Sequence, residues 1–215
     1  MTSVGIDDNS TVFIVDDDSA IRESLSDLMD SVGVKSQVFA SAEEFLDARN
    51  AKMSGCLLLD VRLPGMSGME MQSQLSQSCF AIPIIIMTAH GDMPMVRKAM
   101  KAGAVEFLIK PFKDEELLQA VQQAFELDRA RRREGNVVRS IQDRAEALNE
   151  RERQVLELVT GGLTNKEVAD RLHLSVVTVK LYRGQMMRKM QAETLADLVK
   201  MREKINHSSD PKASF

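Results

Sequence analysis

Four short apolar runs in the first half of the chain end in residues that can do chemistry. Thr11–Val15 (TVFIV) runs into Asp16, Asp17 and Asp18, and Cys56–Leu59 (CLLL) into Asp60. Ile82–Met87 (IPIIIM) runs into Thr88, and Val105–Ile109 (VEFLI) into Lys110. Three carboxylates brought together repel one another and need a cation; oxygen ligands of this kind suit Mg²⁺, or Mn²⁺ in its place. A lysine opposite them is a point charge able to hold a phosphoryl oxygen. A threonine hydroxyl is a movable donor, and an aspartate carboxylate is a nucleophile able to form an acyl phosphate. Singly, each residue is more often structural: an Asp run is usually a solvated loop, and a Thr or Lys at a strand end usually only packs. Their joint occurrence at four strand ends, in this order, points to a site.

Those residues meet only if the strands lie side by side. Ser19–Val32 carries Ile21, Leu25, Leu28 and Met29 at helical spacing, with Gly33 as a stop. Lys35–Phe39 reads as a strand, and Ser41 with Glu44 as a capping box opening a helix. Gly68–Ser76 and Pro94–Ala102 read as helices, Gly103 ending the second, and the chain is helical again from Lys113. Five strands alternating with five helices predict an α/β doubly wound five-stranded parallel sheet, flavodoxin-like, covered on both faces, with strand order 2-1-3-4-5. Ligands of such sheets sit at the carboxyl ends of the strands, where the acidic residues, Thr88 and Lys110 fall.

The second half reads as all helix. Asn149 caps a helix with Val155, Leu156 and Val159 that stops at Gly161-Gly162; Thr164 with Glu167 opens a short helix. Ser175 caps a third, Val176–Met190, and a fourth covers about Thr194–Lys204. A short capped helix, a tight turn at His173-Leu174 and a following helix fit a helix-turn-helix. Lys180, Arg183, Gln185, Arg188 and Lys189 on the second of these helices can reach base edges or phosphates. Thr164, Asn165, Lys166, Ser175 and Thr178, at the starts of the two helices, complete the candidate set. The plainer alternative is an ordinary basic face in a small bundle. Charge supports the first reading: residues 1–126 carry 10 Lys and Arg against 19 Asp and Glu, residues 127–215 carry 18 against 13. An acidic half joined to a basic half places a polyanion against the second half alone. The four-helix domain is assigned to 148–206, an expected disordered tail to 207–215, and 127–147 to a helical linker, or equally to a solvated extension of the fifth helix. Gly135-Asn136 marks a potential bend there.

Composition removes other classes. With no Trp and one Tyr, Tyr182, a base-stacking surface is not expected. Cys56 and Cys79 lack a disulfide or zinc spacing. No apolar run approaches the roughly 18 residues that span a bilayer, and the acidic, polar start of the chain reads as no secretory signal. A cytoplasmic protein with no membrane partner is expected.

The strings VDDD, LLLDVRLPGMSG, IIIMTAHGD and FLIKPF resemble those of two-component receiver domains across residues 10–126. That resemblance implies that Asp60 is the phosphoacceptor. It implies that Asp16, Asp17 and the backbone carbonyl of Arg62 join Asp60 in holding the metal, and that Thr88 and Lys110 contact the phosphoryl group. Phe107 becomes a switch aromatic that turns inward when Thr88 moves, and Lys110–Pro111 a cis bond; Asp18 is left as a loop residue or helix cap. LNERERQVLELVTGGLTNKEVADRLHLSVVTVKLYRGQMMRKM resembles the LuxR-type DNA-binding domain, and the whole chain the NarL/FixJ class of response regulators. The class implies a sensor histidine kinase, double-stranded promoter DNA, a homodimer formed on phosphorylation with the fourth helix pairing on DNA, and RNA polymerase as a further partner. Tyr182, where relatives often carry His, Gln185, where Asn is common, and Gly184 depart from the pattern and bear on DNA preference. An aspartate-based phosphohydrolase is the alternative. It wants a second carboxylate two residues after the nucleophile, and Arg62 stands there. A phosphate-independent interaction module is the third reading.

Overall fold

A computed structural model describes residues 10–78 and 80–208; Cys79, the acidic start and residues 209–215 of the expected tail lie outside the described residues. The chain forms two compact units, one ending at Arg131 and one beginning at Arg132.

In the first unit, β1 (Thr11–Val15), β2 (Lys35–Phe39), β3 (Gly55–Asp60), β4 (Ile84–Thr88) and β5 (Ala104–Ile109) form one sheet of order β2-β1-β3-β4-β5, all pairs parallel. The expected α/β doubly wound receiver fold is the one observed. The central β3 is buried along its whole length, as a strand covered on both faces requires. β4 starts two residues later than read from the apolar run, because Pro83 has no N–H to give to a ladder. Registers Val15↔Leu59, Asp60↔Met87 and Thr88↔Ile109 bring the strand ends into one row.

The helices start where their caps predict. Asp18 caps α1 (Ser19–Ser31) by accepting from the Ala20 N–H, so it is a cap residue. Ser41 caps α2 (Ala42–Ala48), but Glu44 reaches back to the Ala40 N–H, one residue before the cap. Ser67 and Glu70 form a full capping box on α3 (Gly68–Ser76). Gly68 is required by closeness: a Cβ there would stand 2.1 Å from the Asp60 carbonyl oxygen. Asp92 caps α4 (Met93–Lys101), which starts one residue before the proline-led start read from the sequence.

α5 (Asp114–Glu146) stays helical through Gly135-Asn136. Its first half buries Leu117, Ala120, Val121, Ala124 and Phe125 at helical spacing in the first unit. Ile141 packs into the core of the second unit, so the later half is a packed element rather than a solvated extension. That core also holds residues of α6 (Glu150–Thr160), α7 (Asn165–Leu172), α8 (Val176–Met190) and α9 (Leu195–Ser208). α9 continues through Ser208, past the Lys204 end read from the sequence and into the segment assigned to the tail.

Candidate acidic site and nucleic-acid interface

The carboxyl ends of β1, β3 and β5 converge on Lys110. Its Nζ donates to Asp16 Oδ2 at 2.5 Å and to Asp60 Oδ1 at 2.7 Å. Asp16 is 1% exposed and Asp60 6%. One ammonium therefore compensates two buried carboxylates, an arrangement stable only while the pairing is intact. Burial pushes the Asp60 carboxyl above the usual carboxylate range, with Lys110 opposing and Asp16 adding to the shift. Burial alone would lower Lys110; its bonds to Asp16 and Asp60 outweigh that and push it up. Asp60 Oδ2 accepts from the Arg62 N–H at 2.6 Å, which folds the β3–α3 loop around the carboxylate.

Thr88 is buried at the end of β4, and its backbone carbonyl accepts from the Lys110 N–H at 2.7 Å. Its hydroxyl is turned to the backbone of His90, 3.3 Å from the N–H and 3.4 Å from the carbonyl oxygen, not toward Asp60. Phe107 is half-buried against the core cluster that includes Ala99 and Ala104. Lys110–Pro111 is cis. Asp17 is exposed beside Asp16. Among the described residues no three His, Cys, Asp or Glu side chains close into a cage. Two buried carboxylates and an adjacent exposed one are nonetheless hard oxygen donors, the type that suits a small dication keeping several of its waters.

Three supporting contacts had little signal in the sequence. Arg22 on α1 donates to the Asp16 carbonyl at 2.7 Å, fixing the turn after β1. Glu43 on α2 accepts from the Met66 N–H at 3.0 Å and steadies the loop after Asp60. Asp128 on α5 is buried and accepts from the Gly55 N–H and the Ser54 hydroxyl, tying that helix to the start of β3. Beside it Cys56 is fully buried, and that burial pushes its thiol up.

In the second unit, α7 is capped reciprocally by Thr164 and Glu167 and ends at His173 in the left-handed conformation. α8 follows, capped by Ser175, which accepts from the Thr178 N–H. Lys166, Lys180 and Arg188 are exposed; Arg183 and Gln185 are half-buried. Arg183 donates to Asn165 Oδ1 at 2.9 Å, joining two candidate DNA-contacting residues of different helices. Lys189 points elsewhere: its Nζ is 2.6 Å from the buried Glu152 carboxylate and 3.3 Å from the Ala147 carbonyl. Glu152 also completes the capping box with Asn149, so the Lys189 charge is committed to the α6 start.

Two protein-family models match the chain, one in each unit. The response regulator receiver domain model matches residues 12–122, and that of the luxR family of bacterial regulatory proteins matches 146–202. Nodulation protein W of Bradyrhizobium diazoefficiens is 48% identical over 199 residues, covering 93% of this chain and 88% of that protein. Response regulator protein TodT of Pseudomonas putida is 44% identical with the same coverages. The solved structure of response regulator StyR superposes with a TM-score of 0.81 at 45% identity, covering 91% of this chain and 99% of that one.

Proposed function

The chain belongs to the response regulators that join a receiver to a LuxR-type DNA-binding domain, and from that premise we propose that phosphorylation of Asp60 controls its binding to promoter DNA. It is a transcriptional regulator; the phosphoryl chemistry, metal, dimer and DNA contacts are our reading.

The observation that carries it is the Lys110 bridge between Asp16 and Asp60 at the switch point of the sheet. An Asp60 oxygen attacks the phosphorus of a phosphohistidine on a sensor kinase. The new P–O bond forms as the P–N bond breaks, and the imidazole, already protonated by solvent on its other ring nitrogen, leaves as the neutral base. Asp16, Asp17, Asp60 and the Arg62 carbonyl would hold Mg²⁺ or Mn²⁺, which when bound neutralises charge on the transferring group. Lys110 turns from Asp60 to a phosphoryl oxygen. Thr88 leaves His90 and donates its hydroxyl to the same group, vacating space for Phe107. The exposed Met100 and Ile109 lie on α4 and β5, the face such a repacking changes, and we assign homodimerisation to it. Two copies then present Thr164, Asn165, Lys166, Ser175, Thr178, Lys180, Arg183, Gln185 and Arg188 to two half-sites of double-stranded DNA in the cytoplasm, where RNA polymerase is a downstream partner. Arg62 at the position of an acid/base carboxylate argues against a hydrolase.

Acetyl phosphate with Mg²⁺ tests the reading. A hydroxylamine-labile phosphoryl adduct is expected on the wild type and none on Asp60→Asn, whose amide is not an anionic nucleophile. An equal adduct on the variant overturns the assignment.

A further inference from the structure

α8 carries more apolar surface than its fold uses. Val179, Met186 and Met190 are buried in the core, yet Val177 is 76% exposed and Leu181 58%. These two, with Gly184 and Arg188, are spaced i, i+4, i+7 and i+11 and form one outward stripe. Lys180 and Arg183 flank it and Arg188 ends it, so its surroundings are cationic. Nothing lies within 4 Å of where a Cβ would stand on Gly184, so that turn has no side chain and leaves room for close approach of the helix backbone.

A cationic rim with an apolar centre has a specific complement in DNA. In the major groove, the apolar group presented by the bases is the thymine C5 methyl; the other base-edge features are hydrogen-bond donors and acceptors. We propose that Val177 and Leu181 read thymine methyl groups, so that the centre of this recognition helix selects T·A pairs by apolar contact, while Gly184 offers no donor for a guanine on the next turn. The inference rests on the DNA-binding reading above and adds the base class that this helix selects.

The experiment is selection of double-stranded DNA by the full-length phosphorylated protein. Each thymine of the enriched half-site is then replaced by deoxyuracil, which keeps base pairing and removes only the methyl. The expected result is about a fourfold loss of wild-type affinity at one or two thymines, the worth of one buried methyl. That loss should vanish in Val177→Ala or Leu181→Ala, with the salt dependence of each variant unchanged. Both positions are exposed, so neither substitution opens a cavity. Uracil equal to thymine everywhere overturns the inference alone, as does a thymine preference that persists in both variants. A change in oligomeric mass with DNA affinity intact overturns it in favour of a protein contact. Absence of any sequence enrichment by the wild type overturns the DNA reading and the inference with it.

Discussion

Lys110→Met should leave two buried carboxylates facing each other without a cation. Asp16 and Asp60 both bond Lys110 Nζ, and the side chains of all three are largely removed from water. Removing one partner of a buried ion pair costs about 3–5 kcal/mol, because the charge left behind stays desolvated. We take about 3 kcal/mol, since the carboxylates can gain some water through the opening left by Lys110; for a chain of this length that lowers Tm by about 10 °C. The deficit should depend on pH with a definite sign. In the variant one folded-state carboxyl pKa rises further above its unfolded value. Such a group disfavours the folded state increasingly as pH climbs from the unfolded pKa through the folded one. The gap to wild type therefore widens as pH climbs above the ordinary carboxylate range and narrows as pH falls back toward it. Added Mg²⁺ should stabilise the variant more than the wild type, by supplying the missing positive charge. Urea unfolding of both proteins across that pH range is the assay. A gap that is flat with pH would refute the reasoning, because the three groups would then not form one electrostatic unit.

Three further outcomes follow from the same geometry. Asp17→Asn should weaken Mg²⁺ binding, measured calorimetrically, much more than Asp18→Asn, whose side chain only caps α1; equal losses would mean the metal carboxylates are wrongly assigned. Lys180→Ala should lower the slope of log DNA affinity against log salt by about 1, and an unchanged slope and affinity would place the phosphate contact elsewhere. Glu152→Ala should destabilise the DNA-binding unit by about 2 kcal/mol, since it removes both a capping partner and the buried end of the Lys189 pair; thermal unfolding that leaves this unit unmoved would contradict the packing.

The strand ends were legible because buried parallel strands are short apolar runs, and the residue after each run is visible as a change of type. The caps at Asn149, Thr164 and Ser175 were legible because they are local, three-residue chemistry. The Pro83 boundary was misplaced because an apolar count ignores the missing N–H. The course of α5 was only half legible: Gly135-Asn136 reads as a break locally, whereas Ile141 is buried by elements far along the chain. Asp128 meets Ser54 across 74 residues, a contact no spacing encodes. Lys189 illustrates the limit at the DNA face. Periodicity treats every cation on a helix alike, and only the fold shows that this one is held by Glu152 while Lys180 is free to face outward.

The proposed function rests on one coupling, from Asp60 to DNA affinity. The most direct measurement is the affinity of the full-length protein for a selected double-stranded site, with and without stoichiometric phosphorylation, alongside Asp60→Asn under the same treatment. Affinity should rise on phosphorylation of the wild type, by up to about 100-fold if the DNA-competent fraction goes from about 1% to about 99%, and stay unchanged in the variant. Equal affinity before and after confirmed phosphorylation, or an equal rise in Asp60→Asn, would contradict it.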